Sequence, residues 1–293
     1  MALTSQSYSF HQEDPVRLGN LTLNVISDGT FKMDAGALFG VVPKTIWERK
    51  VKADRRNRIQ MGLNCLLIRS NNCNILVDTG VGKKEPDKIK DIYGLSTGKL
   101  LRGLKDLGLG PRDINIVLLS HLHFDHVGGC TRFNGKGQVV CTFPKAKYMV
   151  QRADWEEATN PNERNTAAYH RDDFEPLLNS KQLELLDGDT EVERGVKAIL
   201  TGGHSAGHQI IVTGTGRRKV AILGDLIATT HHLPLPYIPA FDLFPMDTLE
   251  KKRQLLKQAE EEGWLLIFSH DPQKVAGYLE RRNGRVYLKD ARV

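Results

Sequence analysis

Ser120-His121-Leu122-His123-Phe124-Asp125-His126 follows directly on the apolar run 114–119. Three histidines and one aspartate thus fall within six residues, where a strand should end. Imidazole nitrogen and carboxylate oxygen are the donors that zinc and its first-row neighbours take. Side chains alternate along a strand, so His121 and His123 are expected to point the same way. Val127-Gly128-Gly129 then lets the chain turn, bringing Asp125 and His126 to a second position close by. One short loop can feed two adjacent metals. A polar loop of satisfied histidines is the bland alternative, and this density of donors argues against it.

The pattern recurs further along. The run 196–200 leads into Thr201-Gly202-Gly203-His204-Ser205-Ala206-Gly207-His208, 220–223 into Gly224-Asp225, and 265–268 into Ser269-His270-Asp271-Pro272. Each apolar strand delivers a histidine or aspartate at its carboxyl end. Before the first motif, 63–68 and 74–77 read as a hairpin whose second strand ends in Asp78-Thr79-Gly80. A carboxylate at the end of a buried strand needs a partner. A metal-bound imidazole donating its other N–H would serve, and a plain turn-forming aspartate is the alternative.

Elsewhere, 16–28 is strand-like and closes with Ser27-Asp28-Gly29 as a turn. Segment 33–58 reads as a long loop with a short helix, a lid or dimer arm. Leu100, Leu101, Leu104 and Leu107 have the spacing of a helix face over 99–107, and Gly108 suits its end. Strands are expected at 139–143 and 146–150, a polar helical stretch from 154 to about 179, and a helix over 247–262. No linker or change of composition divides 1–293, which is read as one domain. Strands alternating with helices, together with hairpins, suggest two mixed sheets with helices outside.

Composition sets the outer limits. Of 293 residues, 40% are hydrophobic and 26% charged, as in an ordinary globular protein. Residues 1–15 have neither the basic start nor the apolar core of a signal peptide, and no apolar run reaches the length of a membrane span. A cytoplasmic protein with no membrane partner is the default expectation. The net charge is +6, but the basic residues are scattered among acidic ones and aromatics make up only 7%. That pattern does not resemble a nucleic-acid surface. Cys65, Cys73, Cys130 and Cys141 contain no CxxC pair. Cys65 and Cys73 flank an expected turn at Asn71-Asn72, where a cross-strand disulfide is conceivable, although free thiols suit the compartment better.

The ordered set of His-x-His-x-Asp-His, a lone His, an Asp and a final His resembles the metallo-β-lactamase superfamily over nearly the whole chain. The resemblance implies an α+β fold, an αββα sandwich with metals at one edge between the sheets. It implies that His121, His123 and His204 hold one divalent metal ion, that Asp125, His126 and His270 hold a second, and that Asp225 bridges them. His208 resembles the supporting second histidine of the family's Thr-x-Gly-His-Thr-x-Gly-His segment. Zinc suits these donors, and iron, manganese or cobalt are compatible with them. Phe39-Gly40-Val41-Val42-Pro43 to Trp47 and the stretch 224–233 are similar to the lactonase branch, including acyl-homoserine lactonases, and to its methyl-parathion-hydrolase-like relatives.

The branch implies attack of a metal-activated water on a small-molecule lactone or ester, with Asp125 passing a proton to the leaving group. Phosphotriester hydrolysis is the alternative activity; a metal-dependent RNase, a persulfide dioxygenase and a non-catalytic metal-binding scaffold stand behind it. One feature departs from the branch. Some lactonases carry a tyrosine shortly after the bridging Asp, where this chain has Ala228 or Thr229. Tyr237 is the nearest substitute. Phe39, Val42, Trp47, Tyr237 and Phe241 are candidates for an apolar wall around an acyl chain.

Overall fold

The computed structural model describes residues 15–70, 72–215, 218–282 and 285–291. The amino-terminal stretch 1–14 and Asn71 of the expected turn lie outside the described residues. In chain order the first half contributes β1 (Val16–Leu18), β2 (Leu21–Asp34), β3 (Arg58–Arg69), β4 (Asn74–Val77) and β5 (Ile116–Leu118). A small ribbon of β6 (Thr131–Phe133) and β7 (Val139–Cys141) follows, then β8 (Lys147–Gln151) and β9 (Leu183–Leu186). The second half supplies β10 (Thr190–Glu193), β11 (Val196–Leu200), β12 (Gln209–Thr215), β13 (Arg218–Ile222), β14 (Leu265–Ile267), β15 (Ala276–Arg282) and β16 (Arg285–Ala291). One sheet has the order β1-β2-β3-β4-β5-β8-β9, and the other runs β10 to β16 in sequence.

Period-two alternation explains how these strands make four layers. In β4 and β5, Ile75, Val77, Ile116 and Leu118 face the second sheet, while Leu76 and Val117 face the other way. In β13 and β14, Val220, Ile222, Leu265 and Ile267 face the first sheet, while Ala221 and Leu266 face outward. The central core therefore lies between the sheets. One outer core packs the first sheet against helices Leu100–Asp106, Arg152–Thr159 and Arg171–Asn179. The other packs the second sheet under helix Pro245–Glu262 through Leu255 and Ala259. These layers form the αββα sandwich, with strands buried on both faces and hence almost continuously apolar.

Strand direction decides where the polar ends gather. β4, β5 and β8 run parallel, as do β13 and β14. β11 is antiparallel to β12, which is antiparallel to β13, so β11 ends at the same edge as β13. Asp78, the histidine loop, the His204 loop, Asp225 and His270 consequently emerge at one rim of the sandwich.

Several local expectations change. Ser27-Asp28-Gly29 is no turn: β2 continues to Asp34, with a register shift between Ser27 and Gly29. Gly29 sits at φ +136°, and a Cβ there would lie 1.9 Å from the Ser96 carbonyl oxygen. The bulge turns Asp28 inward, where its carboxylate accepts from Leu100 N (3.0 Å) and Gly82 N (2.9 Å). The stretch 154–179 forms two helices rather than one. Pro161 excludes helical geometry at Asn160, and the second helix starts at Arg171. Cys65 points into the core beneath the helices and Cys73 packs on the inter-sheet side, so opposite faces keep them apart and all four cysteines are free.

The arm 33–58 is short helices, Ala35–Phe39 and Lys44–Trp47, between β2 and β3. Its Ala35, Leu38, Phe39 and Trp47 are buried, in a fourth apolar cluster beside the rim. Leu118, fully buried at the centre of the inter-sheet core, is a direct probe of the sandwich. Leu118→Ala is expected to lower unfolding free energy by about 2–5 kcal/mol through lost burial and the cavity left behind, read from urea denaturation.

Candidate metal centre

Strand β5 ends at Leu118, and the next residues leave the sheet as a loop. His123 then caps a one-turn helix, Phe124–Val127, with its carbonyl accepting from His126 N (2.9 Å) and Val127 N (3.1 Å). That turn, rather than the glycines, swings Asp125 and His126 to their position. Gly128 and Gly129 serve a different need. A Cβ on either would come within 2.3 Å of the carbonyl oxygens of Val81 and Thr79, which pack against this turn. Thr79 N also donates to the His126 carbonyl at 2.7 Å, tying the β4 end to the loop.

Two groups of donors result. His121 Nε2 and His204 Nε2 each lie 3.0 Å from His123 Nδ1, and Asp225 Oδ2 is 3.2 Å from His204 Nε2. His126 Nε2 and His270 Nε2 are 2.9 Å apart. Asp225 Oδ1 is 2.9 Å from His270 Nε2 and 3.4 Å from His126 Nε2, and Asp125 Oδ2 is 3.6 Å from His270 Nε2. The seven residues expected to bind metal are therefore brought together, in the expected three-plus-three division, with one oxygen of Asp225 turned to each group.

The donor set fits two metal ions. Ligands held at 2.0–2.1 Å in a tetrahedron sit about 3.3 Å from one another, close to these spacings. Three ring nitrogens converging at this spacing match the facing donors of a tetrahedral cation between them. Asp225 Oδ1 is buried and has no well-formed hydrogen bond. Of the seven, only His123 and Asp125 are partly exposed, and they mark the open side.

Buried partners aim the rings of His126, His270 and His204. Asp78 accepts from Ser120 N (2.8 Å) and Ser120 Oγ (2.9 Å), and its Oδ2 lies 2.9 Å from His126 Nδ1. It does so at φ +56°, a left-handed conformation that aspartate tolerates better than most residues. His270 Nδ1 donates to the Gly62 carbonyl at 2.8 Å. His208 does not face the metals. Its Nε2 accepts from Asp225 N at 2.9 Å, which puts the proton on Nδ1, 2.6 Å from Thr201 Oγ1. Gly224, at φ +50°, makes room: a Cβ there would lie 2.5 Å from His208 Nε2.

Asp242 was not among the candidates found in the sequence. Its Oδ1 is 2.8 Å from His204 Nδ1, and Thr248 Oγ1 donates to its Oδ2 at 2.7 Å. It lies in a loop with no motif, and only the tertiary fold carries it to His204. Asp154, on the helix Arg152–Thr159, was missed because it too reaches its partners only through the tertiary fold. It accepts from Leu122 N (2.8 Å) and from Ser205 Oγ, joining the His121 and His204 loops from below. Burial pushes its carboxyl up to about 7, against the hydrogen bond from Ser205.

Burial, followed by neighbouring histidines, pushes His121 and His123 well below the ordinary imidazole range, leaving their nitrogens free to ligate. Burial also opposes charge on His204, but Asp225 and Asp242 outweigh it and raise the ring to about 9. Burial likewise opposes ionisation of Asp225, yet His270, His204 and His126 hold its carboxyl well below the usual range.

The metallo-β-lactamase superfamily profile matches residues 60–270. The chain belongs to that superfamily. An N-acyl homoserine lactonase of Bacillus thuringiensis is 29% identical over 224 residues, 71% of this chain and 80% of that one. A Staphylococcus aureus structure described as a "probable metal-dependent hydrolase" is 30% identical with TM-score 0.86, covering 95% of this chain and 100% of its own. AidC, a dizinc quorum-quenching lactonase solved with a product, shares the fold at 22% identity and TM-score 0.79, over 96% and 97% of the two chains.

The apolar candidates of this superfamily member take different places. Phe39 and Trp47 are buried and stacked, with ring centroids 5.3 Å apart, and Phe39 also stacks on His232 at 5.2 Å. Tyr237 meets the edge of Phe39 and lies under Lys50, and Val42 joins the same cluster. Phe241 stands edge-on to the His204 ring at 5.7 Å and is half-buried. Tyr169, which the sequence marks with His170 and Phe174 as able to line a pocket, is 5.0 Å from the His123 ring, and Phe124, which it did not single out, sits between two expected ligands in the chain. Ala228, after the bridging Asp, gives its carbonyl to His270 N at 2.9 Å.

A raised His204 makes metal uptake a proton-releasing event. At pH 7 its ring is protonated without metal, so binding expels that proton and affinity rises from pH 6 to 9. Asp242→Asn removes the carboxylate that supports the charge. Calorimetry in buffers of different ionisation enthalpy is expected to show fewer protons released at pH 7, with metal affinity about 10–100-fold weaker.

Proposed function

We propose that this protein is a binuclear-metal-dependent hydrolase that opens lactones, with N-acyl homoserine lactones as the substrate class. The observation that carries the reading is the pair of donor groups sharing the two oxygens of Asp225 at the rim of the sandwich. The lactonase relatives, 29% identical over most of the chain, point to the substrate. Zinc is the proposed metal at both positions on donor type, and AidC is a dizinc enzyme.

When bound, two such cations lower the pKa of water towards about 7 and polarise a carbonyl oxygen. The chain's residues supply the rest. Asp225, with its backbone fixed through His208 and Thr201, keeps the two positions in register. Asp78, Asp242 and the Gly62 carbonyl lock the rings of His126, His204 and His270, so no reorganisation of the ligands accompanies reaction. Asp125, partly exposed on the open side, is the group placed to carry a proton to the departing alkoxide. Half-buried Phe241, beside the His204 ring, and Tyr93 offer apolar surface for an acyl chain, whereas the buried Phe124, Phe39 and Trp47 support it from behind. No serine or cysteine nucleophile is required.

A phosphotriester is the second substrate class, since the same clamp stabilises charge on a phosphoryl oxygen. The arm also bears exposed Val41 and Ile46, which suit contact with a second copy of the chain. A one-chain mass in solution would remove that dimer.

Zinc-loaded protein is expected to release protons rapidly from short- and long-chain acyl-homoserine lactones. Asp125→Asn should lower kcat by about 10²–10⁴ in protein whose zinc content, measured alongside, matches wild type. Turnover of phosphotriesters and none of lactones, with metals bound, would move the assignment to the second class.

A further inference from the structure

Behind the ligand loop, Glu85, His170 and Asp173 form a second kind of cluster. Their donor atoms lie within 4.8 Å of one another. His170 Nδ1 is 2.9 Å from Glu85 Oε1 and 4.0 Å from Asp173 Oδ2. Glu85 is 6% exposed and Asp173 1%, so two carboxylates are buried side by side. Lys84 neutralises part of that charge. Its Nζ is 2.8 Å from Asp173 Oδ1 and also donates to the carbonyls of Gly128 and Thr131, which uses its three protons. Asp173 Oδ2 is left buried with no hydrogen-bond partner. An orphaned carboxylate oxygen in a native interior calls for an unseen water or ion.

We propose that Glu85, His170 and Asp173 Oδ2 bind a third divalent cation of the zinc class, separate from the pair at Asp225. Two carboxylate oxygens and one imidazole are suitable donors for such an ion. Ligands bonded at 2.0–2.2 Å sit about 3 to 4.4 Å apart, so the cluster needs only slight closure. Glu85 and Asp173 bring two negative charges and Lys84 returns one, which leaves the site attractive to a dication while the imidazole is neutral. His170 is the most exposed of the three, its side chain 28% accessible, and provides the approach from solvent.

The location gives the site a structural role. His170 stacks on Phe124 with ring centroids 5.1 Å apart, and Phe124 lies between His123 and Asp125 in the chain. Asp173 belongs to the helix Arg171–Asn179, whose Asp172 carbonyl accepts from Thr131 Oγ1 at 2.7 Å. A cation here would pin that helix to the back of the catalytic turn.

Zinc uptake by the full-length protein, measured by equilibrium dialysis and elemental analysis, tests this. Wild type is expected to bind one more equivalent than Glu85→Gln, which keeps the hydrogen-bond acceptor for His170 but removes its charge. His170→Gln is expected to lose the same equivalent, and it serves if the first variant folds poorly. The reading depends on the difference between proteins, so it holds whatever number the Asp225 site takes. Equal uptake by wild type and both variants would overturn the proposal and leave the cluster as an ion-pair network bridged by a charged His170.

Discussion

Five imidazoles and two carboxylates converge on one small, largely buried space at the rim of the sandwich. Nitrogens from His121, His123 and His204 meet at about 3 Å on one side of Asp225, and those of His126 and His270 meet on the other. A cation within each group would take all of its converging donors at once, and Asp225 offers one oxygen to each group. The rest of the rim keeps these donors from turning away. Asp78, Asp242 and Gly62 each take the far nitrogen of one ring, and His208 holds the backbone of Asp225.

The sandwich exists to bring those residues to one edge. Parallel pairing of β4 with β5, and of β13 with β14, places four carboxyl ends side by side. The inter-sheet core of Leu118, Val77, Ile222 and Ile267 sets the spacing between halves that are far apart in sequence. A shift in either sheet would move Asp225 relative to the histidine loop, and with it the spacing of the two donor groups. Stability and function are linked through that core.

Much of this was legible in the sequence. Short continuous apolar runs ending in histidine or aspartate identify both the strands and their active ends, because the strands are buried on both faces and their carboxyl ends meet at one rim. The ligand set came from resemblance, and the structure brings those seven residues together. Asp78 was legible as a buried carboxylate in need of a partner. Asp242 and Asp154 were not, because each reaches its partner only through tertiary packing and has no local pattern to announce it. Ser27-Asp28-Gly29 misled for a related reason: residues that favour turns also suit a bulge, and the choice was made by Leu100 and Gly82 N–H groups that Asp28 caps. Phe39 and Trp47 illustrate another limit. An aromatic in a loop reads alike whether it lines a pocket or packs beneath one, and here both are buried.

The central claim is that Asp225 bridges two metal ions. Its most direct test is a crystal of zinc-loaded protein measured on both sides of the zinc absorption edge. The account predicts two anomalous peaks about 3.5–4 Å apart, with one Asp225 oxygen directed at each. A single peak, or two peaks with the Asp225 carboxylate turned away from either, would contradict it.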